Sequence, residues 1–335
     1  DMPPRGAYAQ AQSLLQQLGA LDDRGKITAY GRQLVATGLQ PRLAHILVKG
    51  TAMGRGAEAS CLAALLSNKD IIRLPAANED ADIRLRLAII QQASAGKPLA
   101  GDYPVDKWRV QQVCHEAAHI RSTLGIQGNF SFDINKCGSL LALAYPDRIG
   151  QNKGQGRFLL SNGRRAFIGE SQLLAKEPFI VAADLADSGV ESRIFLAAPV
   201  TEAELRQNLA EQIEETEEVS WDKQLQAVRA IRYQRLGALV LKEEVIVPED
   251  PEKVLSAMLQ GIRSEGLGLL PWTKSSRLLQ DRMAFMHELD PTWPDVSEAN
   301  LLATLDSWLA PHLYGIRNAQ QLQQLSLDKI LLAML

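Results

Sequence analysis

The sequence is poor in aromatic residues and cysteine, and it has no long apolar run. Aromatic residues make up 5% of the 335 residues, and the three cysteines (Cys61, Cys114 and Cys137) are an odd number without paired spacing. That pattern favours reduced thiols in a cytoplasmic protein over a disulfide framework. No apolar run approaches the roughly 20 residues of a membrane span, and no signal peptide is visible. We therefore expect a soluble protein that makes no membrane contacts.

Sequence motifs for catalysis are also missing. No G-x-x-x-x-G-K-S/T segment occurs, so the sequence has no phosphate loop for ATP. Gly154-Gln155-Gly156 lacks the third glycine and the strand–helix setting of a dinucleotide loop, and no serine lies in a nucleophile elbow. We assign no catalytic residue, expect no cofactor in this chain, and predict that the chain alone releases no phosphate from ATP.

One metal-binding pattern is present, in His115-Glu116-Ala117-Ala118-His119. On a helix, H-E-x-x-H places two imidazoles on one face for Zn²⁺, with the glutamate as general base. Hydrolytic zinc also needs a third protein ligand. Ser122 stands where the metzincin extension requires glycine, and no glutamate occurs between Ala117 and Gly169. We therefore predict no metal site and keep a zinc hydrolase only as an alternative.

The first half of the chain reads as helical. A helix over Ala7–Leu18, a tight hairpin over Leu21–Ile27 and a helix capped by Thr28 together form the pattern of a partial winged helix, assigned to residues 1–38. Further helices are predicted near 41–52, 56–68, 79–95, 105–124 and 132–143. With no repeat period among them, they predict a helical bundle over residues 39–143.

After Pro146 the pattern changes to short strands. Ser161-Asn162-Gly163 separates the runs 157–160 and 164–168, and Asn-Gly between two such runs is a strong hairpin signal. Strands over 179–185 and 192–200 follow, which together indicate a small barrel or sandwich within residues 144–248. The acidic stretch 201–218 is predicted as a helix, a short strand is placed at 219–221, and a second hairpin is predicted over 226–235 and 238–247. Residues 249–335 are predicted to be helical, which gives an α+β multidomain chain.

The candidate binding residues are basic. The net charge of −3 means that any nucleic-acid surface must be a local patch. We predict that Lys153, Arg157, Arg164 and Arg165 line one cationic strip of the barrel and contact RNA phosphates, with Arg157 and Arg164 each opening a strand. Edge cations can also serve only to keep a sheet soluble. Three arginines of the second hairpin are further candidates: Arg229, Arg232 and Arg235.

Several segments resemble the winged-helix and following region of DEAH/RHA-type RNA helicases. They are Pro3-Pro4, Leu15-x-x-Leu18-Gly19-Ala20-Leu21-Asp22, Gly25-Lys26-Ile27-Thr28, Gly31-Arg32 and Gln40-Pro41-Arg42-Leu43-Ala44. Later segments are similar to the bacterial HrpB-type subgroup: LLALAYPDRIGQ, GRFLLSNGR, Val219-Ser220-Trp221-Asp222, RLGALVL, LLPW and TWPDVSEANLLATLDSWLAPHL. The resemblance covers nearly the whole chain, and H-E-x-x-H is not part of its pattern.

The resemblance implies a C-terminal fragment of an ATP-dependent RNA helicase. ATP and Mg²⁺ would be used by two RecA-like lobes that precede Asp1, so no catalytic residue carries over. The region would comprise a winged helix, a ratchet-like helical bundle, an OB-like barrel and an HrpB-type helical end. It would bind RNA, with single-stranded RNA expected, and complete the RNA channel beside the lobes. The competing class is a non-catalytic module that docks a protein partner.

Overall fold

The structure, a computed structural model, describes residues 4–73, 80–98, 104–127, 131–186 and 190–335. The chain divides into two compact units. Unit 1 consists of Asp1–Glu214 and Arg235–Leu241, and unit 2 consists of Glu215–Gln234 and Lys242–Leu335. The described helices include none that is long and apolar enough to cross a membrane.

Unit 1 begins with the predicted helix, hairpin and helix. Helix α1 spans Arg5–Gln17 and helix α2 spans Ala29–Ala36, with a bridge between Leu21 and Ile27 closing the turn that joins them. The Thr28 side chain accepts a hydrogen bond from the Gly31 amide, as expected of an N-cap. This part of the prediction is confirmed.

A helical bundle follows in unit 1. Its helices are α3 (Pro41–Ala52), α4 (Gly56–Ser67), α5 (Ile83–Ser94), α6 (Lys107–Leu124) and α7 (Cys137–Ala144). Pro41 occupies the first turn of α3, and α6 ends at Gly125 in the left-handed conformation. The predicted helices are confirmed, although α7 starts later than predicted because 134–136 form a 3₁₀ turn. Residue 79, where the third of them was predicted to start, lies outside the described residues.

The short strands of unit 1 close into a barrel. They are β1 (Ile149–Asn152), β2 (Arg157–Leu160), β3 (Arg165–Phe167), β4 (Phe179–Ala186) and β5 (Glu191–Pro199). Their order around the barrel is β1-β2-β3-β5-β4, with β3 and β5 parallel and the other pairs antiparallel. Phe158, Leu160, Ile180 and Ile194 fill the interior. The strand predicted at 164–168 starts one residue later, at Arg165.

Helix α7 abuts the barrel at Gly138. A Cβ atom at this position would lie 1.9 Å from the Pro199 carbonyl oxygen at the end of β5, so only glycine fits. Apolar residues of α7 and of the barrel strand β4, among them Leu141 and Val181, belong to the same hydrophobic cluster. Bundle and barrel therefore share a core within unit 1.

The prediction of a helix over residues 201–218 is wrong beyond Asn208. Helix α8 spans Glu202–Asn208, and the acidic residues after it lie on strand β6 (Ile213–Asp222). Ile213, Thr216 and Val219 recur every third residue, which imitates a helical stripe, but β-branched residues favour strands. The strand predicted at 219–221 is the end of β6.

Strand β6 belongs to a three-stranded sheet in the order β6-β7-β8, where β7 spans Ala227–Leu236 and β8 spans Leu239–Ile246. The second predicted hairpin is thus confirmed. The helices of unit 2 are α9 (Pro251–Glu265), α10 (Lys274–Leu289), α11 (Glu298–Ala303), α12 (Leu305–Trp308), α13 (Ala319–Leu322) and α14 (Leu327–Leu332). Trp221 packs on Gly261 of α9 and donates a 2.6 Å hydrogen bond to Glu265.

Candidate nucleic-acid interface

The outer side of strands β2, β3 and β5, with the loop before β2, carries three of the seven predicted binding residues. Phe158 and Leu160 of β2 point into the barrel, so Arg157 points outward by strand alternation. Arg157 lies opposite Phe167 of β3 and Leu159 opposite Arg165, which places Arg165 on the same side. Arg165 and Phe167 in turn lie opposite Glu191 and Arg193 of β5. We call this surface, defined by Lys153, Arg157, Arg165 and Arg193, the barrel face.

The cations of the barrel face have acidic, neutral and aromatic neighbours. Arg157 keeps 61% of its side chain exposed and lies 3.6 Å from the Glu191 carboxylate. The Lys153 ammonium donates a 2.8 Å hydrogen bond to the neutral amide of Gln151. The Arg193 guanidinium lies 5.3 Å from the centre of the Phe195 ring. On this surface Arg157 thus lies beside a carboxylate, Lys153 beside a neutral amide and Arg193 beside an aromatic ring.

The loop between β1 and β2 holds Lys153 at the edge of the barrel face. Gly156 has φ of 69°, and a Cβ atom there would lie 2.4 Å from the Ile168 carbonyl oxygen. Only glycine combines this left-handed conformation with such a close approach. The backbone of Lys153 is fixed by a hydrogen bond from its amide to the Arg157 carbonyl oxygen.

Arg164 lies elsewhere. It belongs to the turn before β3, where its amide donates to the Asn162 side chain and its carbonyl accepts from Leu160. Its side chain lines a cleft of about 800 Å³ between α1 and the barrel, together with Arg42 and Arg148. Of the four residues predicted to form one strip, Lys153, Arg157 and Arg165 thus lie on the barrel face. Arg164 lines the separate α1–barrel cleft.

The sequence did not identify the polar cluster that forms one wall of this cleft. Arg42 of α3 makes a two-pronged ion pair with Asp147, at 2.7 and 2.8 Å, and donates to the Ala144 carbonyl oxygen at the end of α7. The Arg148 guanidinium donates to the Ala183 carbonyl oxygen and lies 3.9 Å from Asp147. Both arginines also lie near the Tyr145 ring. Two segments of the family resemblance, PRLA and AYPDR, therefore contact each other.

The arginines of β7 are placed differently. Arg232 pairs with Glu217 at 2.6 Å, and Arg229 lies 3.6 Å from Asp222, so both face carboxylates of the neighbouring β6. The hydrogen bond with Glu217 raises the pKa of Arg232. Strand alternation puts Arg232 on the opposite side of the sheet from Arg229. Arg235 belongs to unit 1 and the other two to unit 2.

The H-E-x-x-H residues lie on α6. His115 and His119 are exposed, whereas the Glu116 carboxylate accepts a 2.6 Å hydrogen bond from Asn68 of α4. Within the described parts of the chain, no three histidine, cysteine, aspartate or glutamate residues are grouped so that they could hold a metal ion. That these histidines hold no metal stays a prediction, which elemental analysis of protein prepared without chelator can check.

Comparison with known proteins matches two segments to helicase families. Residues 11–39 match the winged-helix part of the helicase associated domain (HA2), and residues 212–245 match the connector region of the ATP-dependent RNA helicase HrpB. The first segment contains about half of α1 and all of α2, and the second contains the β6-β7-β8 sheet apart from Ile246. Two separate segments of the chain thus resemble regions of helicases.

Similarity over the whole of this chain identifies a more specific group of relatives. The ATP-dependent RNA helicase HrpB of Escherichia coli K12 is 30% identical over the whole of this chain, and the probable ATP-dependent RNA helicase DHR2 of Saccharomyces cerevisiae is 32% identical over 29% of it. Two crystal structures of E. coli HrpB cover the whole chain with a TM-score of 0.60, at 28% and 26% identity. The chain is an HrpB-type C-terminal region. It spans 39% of the length of E. coli HrpB and 13% of DHR2.

Proposed function

We propose that this chain is the RNA-binding accessory region of an ATP-dependent RNA helicase, and that the barrel face holds single-stranded RNA through its phosphates. The observation that carries the proposal is that Lys153, Arg157, Arg165 and Arg193 lie on one outer surface of the barrel. Single strands bind such cationic surfaces largely without sequence preference, because every nucleotide presents a phosphate.

The topology of the barrel supports this proposal. Its strand order and its parallel β3–β5 pair fit an OB-like barrel, in which the surface of strands 2 and 3 and the adjoining loops bind oligonucleotides. Lys153 lies on the loop between strands 1 and 2, Arg157 on strand 2 and Arg165 on strand 3. The half-buried Phe167 and Phe195 beside them could stack with bases.

In the whole helicase, the RecA-like lobes would bind ATP and Mg²⁺ and supply the hydrolysis that drives movement along RNA. The role of this chain would be to complete the RNA channel with its winged helix and its ratchet-like bundle, residues 39–143. The sequence has no phosphate loop, so nothing in it offers the usual cradle for ATP. A cytoplasmic location fits the three free cysteines, of which Cys61 and Cys137 are buried.

The salt dependence of RNA binding tests the proposal. Each phosphate contact with a single strand contributes about 0.7 to the slope of log K against log salt. The variant Lys153→Ala/Arg157→Ala/Arg165→Ala should therefore flatten the slope by up to roughly 2 units for any sequence. Fluorescence anisotropy with a labelled 12-nucleotide single-stranded RNA gives both affinity and slope. The matched control is Arg229→Ala/Arg232→Ala, which should leave the slope nearly unchanged.

A folded triple variant with unaltered affinity and slope would exclude the barrel face, and the site would then move to the arginines of β7. Absence of RNA binding by the parent chain itself would favour the competing class, a protein-docking module. Circular dichroism identifies folded variants, and they should be folded, because exposed charges of this kind contribute less than about 1 kcal/mol each.

A further inference from the structure

Helix α10 of unit 2 carries an apolar stripe on its exposed side. Leu278, Phe285 and Leu289 are exposed by 52%, 60% and 66%. Arg282, which is also exposed, lies between them, so the four side chains follow one another at intervals of four, three and four residues. Such intervals keep side chains on one face of a helix, as in the seam of a coiled coil. We call these four residues the α10 stripe.

The core of unit 2 does not use the α10 stripe. The core-facing side of the helix contains Met283, which is buried, with Leu279 and Ala284 partly buried beside it. The stripe lies on the other side of the helix. Contiguous exposed apolar residues mark an interaction surface, and the seam-like spacing of these residues fits a second helix.

The spacing of the α10 stripe is the same in both chain directions. If a second copy of α10 lies antiparallel to the first, Leu278 of each copy faces Leu289 of the other, and Arg282 faces Phe285. A guanidinium group is attracted to the face of an aromatic ring. In a parallel pair, Arg282 would instead face its own counterpart and repel it. The arginine therefore favours the antiparallel orientation.

The charges beside the α10 stripe are complementary in the same orientation. Lys274, Asp281 and Glu288 lie at intervals of seven residues along one edge of the stripe. When one copy is reversed, Lys274 lies beside Glu288 of the other copy, and Asp281 lies within reach of Arg282. Among the described residues, none of these four side chains has an ion-pair partner within its own chain.

The order of charges along α10 is unfavourable for the helix by itself. Its first turn contains Lys274 and Arg277 and no acidic residue, whereas Glu288 lies in the last turn together with one basic residue, His287. The helix dipole favours carboxylates at the N-terminus and cations at the C-terminus. An antiparallel copy places charges of opposite sign beside each end, which offsets this effect.

We propose that the α10 stripe is a self-association surface, on which a second copy of this chain packs antiparallel to the first. The stripe spans about three helical turns, which is small for a protein interface. The dimer should therefore be weak, with a dissociation constant of about 0.1 mM. The proposal does not depend on RNA binding by the barrel face.

Cysteine cross-linking of the full chain tests the orientation. Leu278→Cys and Leu289→Cys are prepared separately and oxidised at about 0.2 mM, alone and as an equal mixture. Only the mixture should form a disulfide-linked dimer above background, because the antiparallel register separates each position from its own counterpart by roughly 16 Å along the helix axis. The parent chain, in which Cys114 is partly exposed, gives the background.

Sedimentation velocity tests the stripe itself. Phe285→Glu should weaken the dimer at least about tenfold, because the new carboxylate would be buried without a partner. The matched control is Tyr314→Glu, which changes an aromatic residue that is 79% exposed and does not lie on α10, and it should leave the dimer intact. Circular dichroism verifies that both variants are folded.

Cross-linking confined to the mixture, together with dimer loss confined to Phe285→Glu, supports the proposal. A parent chain that sediments as a monomer at about 0.2 mM overturns it, since self-association would then be too weak to detect at twice the expected dissociation constant. Single-cysteine variants that cross-link as well as the mixture also overturn it, as does an equal effect of the two aromatic substitutions. A monomer would leave the stripe as a surface for a different protein.

Discussion

The barrel face and strand β7 both carry arginines, but the two regions differ in their carboxylates. On β7, Arg232 lies 2.6 Å from Glu217 and Arg229 lies 3.6 Å from Asp222. On the barrel face, Arg157 lies 3.6 Å from Glu191, and the Lys153 ammonium donates to the neutral amide of Gln151. A paired arginine must give up its carboxylate before it binds a phosphate. The carboxylates of the neighbouring strand therefore predict phosphate binding better than the number of arginines in a segment does.

Charge reversal should separate the two regions most strongly. Arg157→Glu/Arg165→Glu removes two phosphate contacts and adds repulsion, which should weaken RNA binding by about 30- to 100-fold near 0.1 M salt. Arg229→Glu/Arg232→Glu should weaken it less than about threefold, because the Arg232 charge is already held by Glu217 at 2.6 Å. Anisotropy titrations of both variants side by side measure the difference. Equal losses would show that pairing does not distinguish the regions.

Removal of the carboxylates should make β7 resemble the barrel face. In Glu217→Gln/Asp222→Asn the guanidinium groups of Arg229 and Arg232 lose their partners. We expect RNA binding to tighten by about two- to fivefold with a steeper salt slope, since each released cation can add about 0.7. Chemical denaturation should show a stability loss below about 1 kcal/mol per exposed pair. Unchanged affinity would mean that the position of β7, and not its pairing, keeps RNA away.

The smallest effect should be a pH dependence confined to β6 and β7. Hydrogen bonds from the Leu225 and Gln224 amides, together with Arg229, lower the pKa of Asp222. A carboxyl group whose pKa is lowered on folding stabilises the fold above its unfolded value, about 3.9, and this contribution disappears as the pH falls further. Between pH 4 and 3, the melting temperature of the parent chain should therefore fall more steeply than that of Asp222→Asn. Tryptophan fluorescence can follow the transition, and parallel curves would contradict the prediction.

Local signals in the sequence predicted most of the elements. The Thr28 cap, Pro41 at the start of α3 and the Asn162-Gly163 turn each fix the backbone within a few residues, and each lies as expected. The prediction for the stretch after Asn208 failed because its three-residue spacing of apolar and β-branched residues imitates a helix, and because its pairing partner is distant in sequence. Glu217 finds that partner in Arg232 of β7, which no local pattern of residues 201–218 reveals.

The candidate site was predictable in its residue types but not in its grouping. Strand alternation fixes Arg157 and Arg165 on one side once the hairpin register is known. Arg164 precedes strand β3, so the direction of its side chain depends on the turn between β2 and β3 and not on strand alternation. The pair of Arg42 and Asp147 joins positions 105 apart in sequence, a contact that only the packing of α3 on the end of α7 creates.

Residues 235–241 belong to unit 1 although they follow residues of unit 2 in the sequence. This order affects the folding of unit 1 during synthesis. Leu236 and Leu239 are buried in the core of unit 1, Ala238 donates to the Ser161 carbonyl oxygen, and Gln151 donates to Val240. On the ribosome, the first 214 residues would emerge without the seven that complete their core, and those seven follow only after strand β6 and most of β7. A shortened version of unit 1 that stops at residue 214 should therefore aggregate, whereas one extended through residue 241 regains the missing contacts.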